Sequence, residues 1–241
     1  MPSAPSAVPA QLNNMRAQEF TTEAEVGTAN ARAITARLAA AGYKKLGSGA
    51  DATVWAKDEA NVIKILMPAD PADTVGATRT FMKFYDFCQQ HQNVSCLPKF
   101  QLIGGAHHST FEIGDSVYTQ IAMERLNPIP SGSFEEAMVW ILSDLATQQN
   151  PWEQILALIS DERTWEGFAY PEKVEKVLIA IDQWDDHDRA EYQLLFMVMQ
   201  MLYATGRINK MGWDLHTENV MMRKDGTLVI VDPWFASTEG T

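Results

Sequence analysis

The sequence predicts an α+β protein with a strand-rich first half and a mainly helical second half. Apart from one helical stretch at 72–91, short β-branched runs separated by turn residues make up residues 43–126. Beyond residue 127 apolar residues recur mostly at helical spacing, until two late apolar runs enclose Lys224-Asp225-Gly226, a typical hairpin turn. We therefore divide the chain into a flexible tail at 1–26, a strand-rich lobe at 27–126 and a shortened helical lobe at 127–241.

The first half begins with a tail and a short helix. Residues 1–26 are rich in Ala, Pro, Ser and Thr and offer little to bury, which is typical of a mobile segment. Thr28 can cap the helix that follows, and Gly42 is a typical residue just beyond a helix C-terminus. An antiparallel meander of three strands is predicted next, at 43–47, 53–57 and 61–66.

One helix separates this meander from further strands. Residues 72–91 place Phe81, Phe84, Tyr85 and Cys88 at spacings of three and four, which predicts an amphipathic helix. Strand character then returns in three runs, at 99–105, 109–114 and 116–126.

Helix signals dominate the second half. Ser133 with Glu136 three residues later forms a capping-box pattern, and Pro151 and Pro171 each open a further helical segment. Residues 191–206 are apolar on nearly every side, which predicts a helix buried at the centre of this lobe. A hairpin at 219–232 follows.

Charge and cysteine usage limit the function classes. The net charge is −12, and residues 127–241 carry 19 acidic but only 8 basic side chains. Because the sequence lacks the clustered positive charge that phosphate backbones demand, we expect no nucleic-acid binding. Cys88 and Cys96 are interpreted as free thiols. With no signal-peptide pattern and no apolar run long enough to cross a membrane, we expect a cytoplasmic protein.

Two features of the first half suggest a phosphate site. Gly47, Ser48 and Gly49 lie in a turn before Val54, where small residues let backbone amides approach a phosphate, although an ordinary β-turn is the alternative. Lys64 lies inside an apolar strand, where a lysine needs an anion to pair with unless its side chain reaches the surface.

Two features of the second half complete the pattern. Asp214 and Asn219 lie five positions apart, between the apolar helix and the hairpin. Asp232 ends the second apolar run of the hairpin and could aim a carboxylate into a cleft, where Mg²⁺ would neutralise it. Each residue alone could be an ordinary surface polar group, but their joint order favours one site.

In this order and spacing the four features resemble the protein-kinase-like fold, over about residues 43–235. The Asp214–Asn219 stretch, with His216 two places after the aspartate, looks like the aminoglycoside-phosphotransferase and atypical-kinase branch. Residues 42–49, which lead into residues 61–66, and the pair Asp232-Pro233 resemble the early host-shutoff protein kinases of short-tailed bacteriophages.

The resemblance implies a role for each matched residue. Lys64, Asp214 and Asn219 would be catalytic, with Lys64 on the α- and β-phosphates of ATP and Asp214 on the substrate hydroxyl. Asn219 and Asp232 would hold Mg²⁺. The nucleotide would also contact the glycine loop and the segment between the lobes, at Gly47, Ser48, Gly49, Val54, Met123, Glu124 and Leu126.

The sequence also departs from the family pattern. No Glu occurs between Ile65 and Phe111, so the helix glutamate that usually pairs with the lysine is missing. Asp73 is the first candidate to replace it and Asp86 the second. Only nine residues follow Asp232, so we expect no activation segment of the usual kind.

The resemblance implies an ATP-dependent serine/threonine protein kinase that acts on host proteins during phage infection. Its acidic second half could attract basic protein segments. Two alternatives stay open. The His216 pattern suggests a small-molecule phosphotransferase. The shortened helical lobe and the missing helix glutamate favour a kinase-like protein that inhibits a host enzyme by docking.

Overall fold

A short helix, α1, precedes the sheet and ends as the sequence predicts. The structure is a computed structural model that describes residues 30–49, 52–68, 76–103, 105–106, 108–114, 116–160, 177–181 and 183–236. α1 covers residues 30–40. Gly42 follows with φ +84°, and the N–H groups of Gly42 and Tyr43 donate to Ala39 O and Leu38 O, both at 2.9 Å. This Schellman-type ending confirms Gly42 as the stop signal. Thr28 and the predicted tail lie outside the described residues.

A six-stranded antiparallel sheet forms most of the first half. Its strands are β1 Lys44–Ser48, β2 Ala52–Ala56, β3 Asn61–Leu66, β4 Phe100–Gln101, β5 Ser109–Ile113 and β6 Ser116–Glu124. The order is β1-β2-β3-β6-β4, with β5 also paired to β6. The predicted β1–β3 meander is confirmed, and β6 pairs with β3 from Asn61 opposite Glu124 to Leu66 opposite Thr119.

Helix α2 (Ala77–Gln90) packs against this sheet through the face that its periodicity predicts. Phe81, Phe84, Tyr85 and Cys88 are all buried. Burying one large apolar side chain stabilises the fold by about 1.5–3 kcal/mol, so this face is a sufficient reason for the helix to dock. Residues 72–75 of the predicted helix lie outside the described residues.

The second half is mainly helical. Its helices are α3 Phe134–Thr147, α4 Trp152–Ser160, α5 at 177–181 and α6 Asp186–Ile208. Ser133 caps α3, because its Oγ accepts the Glu136 N–H at 3.2 Å, while the Glu136 carboxylate accepts from Gly132 N at 2.7 Å. The strand-rich first half and helical second half predicted from the sequence are thus confirmed, while the boundaries at 26 and 126 stay predictions.

The burial predicted for α6 is correct on one face and wrong on the other. Leu195, Phe196 and Leu202 are buried, and α3 packs along α6. Met197 and Met201, by contrast, are 50% and 43% exposed. An apolar helix face becomes buried only where another element packs against it. Among the described residues, no element covers the face of α6 that carries Met197 and Met201.

Short strands at the end of the chain frame the cleft described below. β7 (Asn127–Pro128), β9 (Val220–Met222) and β10 (Leu228–Ile230) form one small sheet, and β8 (Gly212–Trp213) pairs with β11 (Trp234–Phe235). The predicted hairpin is therefore present, with Gly226 at φ +94° in its turn.

Both cysteines are free and buried. Burial raises the pKa of the Cys88 thiol and that of Cys96, the latter to about 12. Among the described helices, none combines the length and the apolar composition needed to cross a bilayer.

Candidate active site

A cleft with two adjoining compartments lies between the sheet and the C-terminal hairpin. One compartment, of about 240 Å³, is largely apolar, and the other, of about 370 Å³, is more polar. They share Val54, Lys64, Met221 and Val231. Gly47, Met123, Glu124 and Leu126 line the apolar compartment; Ser48, Gly49, Asp214, Asn219 and Asp232 line the polar one. The fold therefore brings every predicted site residue to one cleft.

Lys64 and Asp232 form an ion pair across this cleft. β3 presents Lys64 between Val54 on β2 and Ile121 on β6. Its Nζ lies 2.6 Å from Asp232 Oδ2, and the two side chains are 12% and 34% exposed. The alternative interpretation, a lysine that reaches the surface, is thereby excluded.

Helix α2 brings an aromatic ring to Lys64. The Nζ atom lies 3.8 Å from the centroid of the Phe81 ring. Of the two carboxylates considered as replacements for the missing glutamate, Asp86 is exposed and Asp73 lies outside the described residues. Among the described residues, the carboxylate in salt-bridge contact with Lys64 is Asp232.

Backbone hydrogen bonds tie the Asp214 loop to the Asp232 segment. Asp214 N–H donates to Pro233 O at 2.9 Å, and Val231 N–H donates to Asn219 O at 2.9 Å. The Asn219 Nδ2 group donates to Asp214 O at 2.6 Å and to its Oδ2 at 3.3 Å. The two aspartates are thus fixed relative to each other by the main chain.

His216 lies inside this loop and contacts both of its key residues. Its Nε2 is 3.1 Å from Asn219 Nδ2 and 3.7 Å from Asp214 Oδ1. Its Nδ1 accepts the Glu218 N–H at 3.3 Å, at the start of the 3₁₀ turn Thr217–Asn219. In the sequence, His216 served only to indicate the aminoglycoside-phosphotransferase and atypical-kinase branch. In the structure its ring contacts Asp214 and Asn219 and helps to hold the loop.

The residues present fit a magnesium ion that shares its coordination with phosphates. Mg²⁺ is usually bound by one or two carboxylates together with water and substrate phosphates. Asn219 uses its Nδ2 group within the loop and Asp232 uses Oδ2 for Lys64, so a metal here would be held by Asn219 Oδ1 and Asp232 Oδ1. No cluster of three or more His, Cys, Asp or Glu in the described part of the chain could hold a metal alone.

The Glu124 carboxylate is engaged away from the cleft. It accepts two hydrogen bonds from Arg223, Nη2 to Oε1 at 2.6 Å and Nε to Oε2 at 2.9 Å, and a third from Lys99 N at 2.8 Å. Arg223 also donates to Ser95 O and Leu97 O, and its hydrogen bond with Glu124 raises the pKa of Arg223. Glu124 could therefore contact a nucleotide only through its backbone. The pairing of Arg223 with Glu124 was not predicted from the sequence.

The glycine turn leaves open space beside its backbone. A Cβ atom at Gly47 or Gly49 would meet nothing within 4 Å, so packing does not demand glycine at either position. Gly49 N–H donates to Ala52 O at 3.0 Å and closes the β1–β2 turn. Among the described residues, the space beside Gly47 and Gly49 is thus open to a bound group.

Comparison with protein-family models finds no match for this sequence, and neither does comparison with curated proteins. Two solved structures show a remote likeness. An aminoglycoside phosphotransferase from Alicyclobacillus acidocaldarius is 13% identical over 80% of this chain and 63% of its own, with a TM-score of 0.34. The streptomycin–ATP complex of APH(2″)-IIa is 12% identical over 79% and 64%, with a TM-score of 0.28.

The chain thus spans slightly less than two thirds of both solved proteins. TM-scores this low do not support a functional assignment. The resemblance to bacteriophage kinases stays a prediction.

Proposed function

We propose that this chain is an ATP-dependent phosphotransferase, and more narrowly a serine/threonine protein kinase acting on host proteins. The observation that supports this most directly is the Lys64–Asp232 ion pair, which lies in the same cleft as Asp214 and beside an apolar compartment. An apolar pocket suits an adenine ring, and a neighbouring cation and two oxygen ligands suit phosphates with their metal.

The proposed reaction assigns one task to each group. The substrate oxygen attacks the γ-phosphorus of ATP, the bond from that phosphorus to the bridging oxygen breaks, and ADP leaves. Asp214 orients the attacking hydroxyl and accepts its proton late in the step. Lys64 holds the α- and β-phosphates, while Asn219 and Asp232 would hold Mg²⁺, whose charge offsets that of the phosphates.

The ion pair must exchange partners when nucleotide binds. Without nucleotide, Lys64 and Asp232 neutralise each other at 2.6 Å. With Mg-ATP bound, Lys64 would pair with phosphate oxygens and Asp232 would help to hold the metal. Because each charge has a partner in both states, neither is left buried and unpaired, which would be costly.

The proposal for a protein substrate rests on the charge around the cleft. Asp214 and Glu218 line the polar compartment, and the second half of the chain carries a large acidic excess. Such a surface attracts basic protein segments, in a salt-dependent way. A small-molecule acceptor and a purely docking protein are the alternatives.

Nucleotide binding is the first test. At a hundredfold excess over its dissociation constant, Mg-ATP should stabilise the folded chain by about 2.7 kcal/mol and raise its melting temperature. Lys64→Ala should abolish this shift, whereas Lys83→Ala, which changes an exposed lysine on α2, should keep it. An unchanged melting curve of the parent protein at millimolar Mg-ATP would refute the proposed function.

Transfer of the γ-phosphoryl group separates the three acceptor classes. Radiolabelled ATP is incubated with the protein and host lysate, and the products are divided into proteins and small molecules. Labelled protein supports the kinase, and labelled small molecules support the alternative phosphotransferase. No label, together with a co-purifying host protein, would favour the docking protein.

A further inference from the structure

Among the described residues, the Lys64 ammonium group contacts two partners that differ in charge. Asp232 Oδ2 lies at 2.6 Å and the centroid of the Phe81 ring at 3.8 Å. The face of an aromatic ring carries the negative part of its quadrupole and attracts cations within about 6 Å of the centroid. The attraction is strongest where water is excluded, and the Lys64 side chain is only 12% exposed.

These two partners behave differently once a metal and phosphates enter the cleft. Asp232 would then bind the metal, whereas the Phe81 ring has no metal-binding group and would stay beside Lys64. A ring carries no net charge, so it holds the ammonium group without neutralising it. Phosphates therefore meet a lysine that is positioned but keeps its full charge.

The Phe81 ring is itself held by a series of aromatic contacts. Phe84 meets it edge to face with centroids 6.0 Å apart, and Trp234 meets Phe84 in the same manner at 6.0 Å. Trp234 Nε1 donates to Leu202 O on α6 at 3.1 Å. The position of Phe81 thus depends on α6 and on the residue two places beyond Asp232.

We propose that Phe81 is a positioning residue that holds the Lys64 ammonium group in the cleft, where the helix offers a ring instead of a carboxylate. The use of this positioning for ATP phosphates rests on the proposed function. The contact itself does not, because it exists in the nucleotide-free chain.

Fluorinated phenylalanines test the inference without changing the fold. Fluorine withdraws electron density from the ring face while altering its size little. Phenylalanine with one, two or three fluorines is placed at position 81, and in a control series at Phe196, which is also buried but lies on α6 beside Trp152. Melting temperatures identify any variant whose packing is disturbed.

The first readout needs no nucleotide. The rate at which cyanate carbamylates Lys64, measured by peptide mass spectrometry, should rise stepwise with fluorine number at position 81. We expect about a tenfold rise in total, equivalent to ~1.4 kcal/mol, because a weaker ring holds the Lys64 side chain less firmly in the cleft and leaves it more accessible to the reagent. The series at position 196 should be flat. A flat series at position 81, or equal slopes at both positions, would overturn the inference.

The second readout separates the inference from the proposed function. If both hold, the KM for Mg-ATP should rise and kcat fall with fluorine number at position 81, at unchanged melting temperature. Graded carbamylation without any ATP binding by the parent protein would support the Lys64–Phe81 contact and refute only the phosphotransferase.

Discussion

Asp214 and Asp232 line the same compartment but are tied to different partners. Asp214 is fixed by Asn219 and by the backbone of Pro233, whereas Asp232 forms the ion pair with Lys64. If Asp214 orients the acceptor hydroxyl and Asp232 binds the metal, removing the charge of Asp214 should affect phosphoryl transfer, and removing that of Asp232 should also affect nucleotide binding. Single substitutions can therefore assign the two roles.

Asp214→Asn should keep the thermal shift with Mg-ATP and lower phosphoryl transfer by about 10²- to 10⁴-fold, since it removes a general base but no nucleotide ligand. Asp232→Asn should lower transfer and also remove much of the Mg²⁺-dependent part of the shift. Melting curves with and without Mg²⁺, combined with transfer rates, measure both effects.

Asp225→Asn, in the exposed hairpin turn, is the control for a general effect of charge loss. If all three variants transferred phosphate at the parent rate per folded molecule, the site would be assigned to the wrong residues. Loss of the thermal shift in Asp214→Asn would contradict the division of roles.

At the scale of elements, α6 and β11 meet at a glycine. A Cβ atom at Gly206 would lie 2.7 Å from Trp234 Nε1 and 3.0 Å from its Cδ1. Trp234 is buried, and its indole is held by the hydrogen bond to Leu202 O. Since Trp234 follows Asp232 by two residues, this contact helps to set the position of the segment that carries Asp232.

Gly206→Ala should therefore destabilise the fold by about 1–3 kcal/mol, the usual cost of overpacking a filled core. It should also weaken the Mg-ATP shift, because the displaced indole moves the chain near Asp232. Denaturant unfolding and nucleotide titration measure the two effects.

Gly212→Ala is the matched control for Gly206→Ala. Its Cβ would overlap the Phe235 ring, but Phe235 is 46% exposed and can swing outward. Gly212→Ala should therefore cost less than Gly206→Ala. Equal costs at the two positions would show that the buried indole does not restrict Gly206.

Helix ends and turns could be predicted from the sequence because their signals are local. The burial of a helix face was harder to predict because it depends on the elements that pack against it. Gly42, Ser133 and Gly226 act within a few residues of themselves, so a stop, a cap and a turn could be inferred from the sequence alone. The exposure of Met197 could not, because it depends on which elements pack against α6.

The distinction between local sequence signals and contacts that depend on the fold also applies to the site and to the whole molecule. Lys64, Asp214, Asn219 and Asp232 were found because their order resembles a known pattern. Phe81 looked like an ordinary core residue, and the pairing of Arg223 with Glu124 spans 99 positions with no local signal. Motifs thus indicated which residues share the cleft, while the contacts that hold them required the three-dimensional arrangement.

One of those contacts joins the sheet to the C-terminal hairpin. Glu124 ends β6 and Arg223 follows β9, and their side chains are 17% and 13% exposed. Arg223 also donates to the backbone of residues 95 and 97. A nearly buried, bidentate pair of this kind fixes geometry, and its loss leaves a charge without a partner.

Arg223→Ala should destabilise the protein by about 3 kcal/mol, because Glu124 is left buried and unpaired. It should also raise the KM for ATP, since Glu124 borders the apolar compartment. Lys224→Ala is the neighbouring control: its pair with Glu59 is 3.9 Å long with side chains 80% and 90% exposed, so its loss should cost at most about 0.5 kcal/mol.

The double variant Glu124→Gln with Arg223→Met should recover part of the stability, because most of the cost of Arg223→Ala comes from an unpaired carboxylate rather than from lost attraction. Chemical denaturation of the four proteins measures this, and an Arg223→Ala cost no larger than that of Lys224→Ala would show that the pair does not hold the hairpin to the sheet.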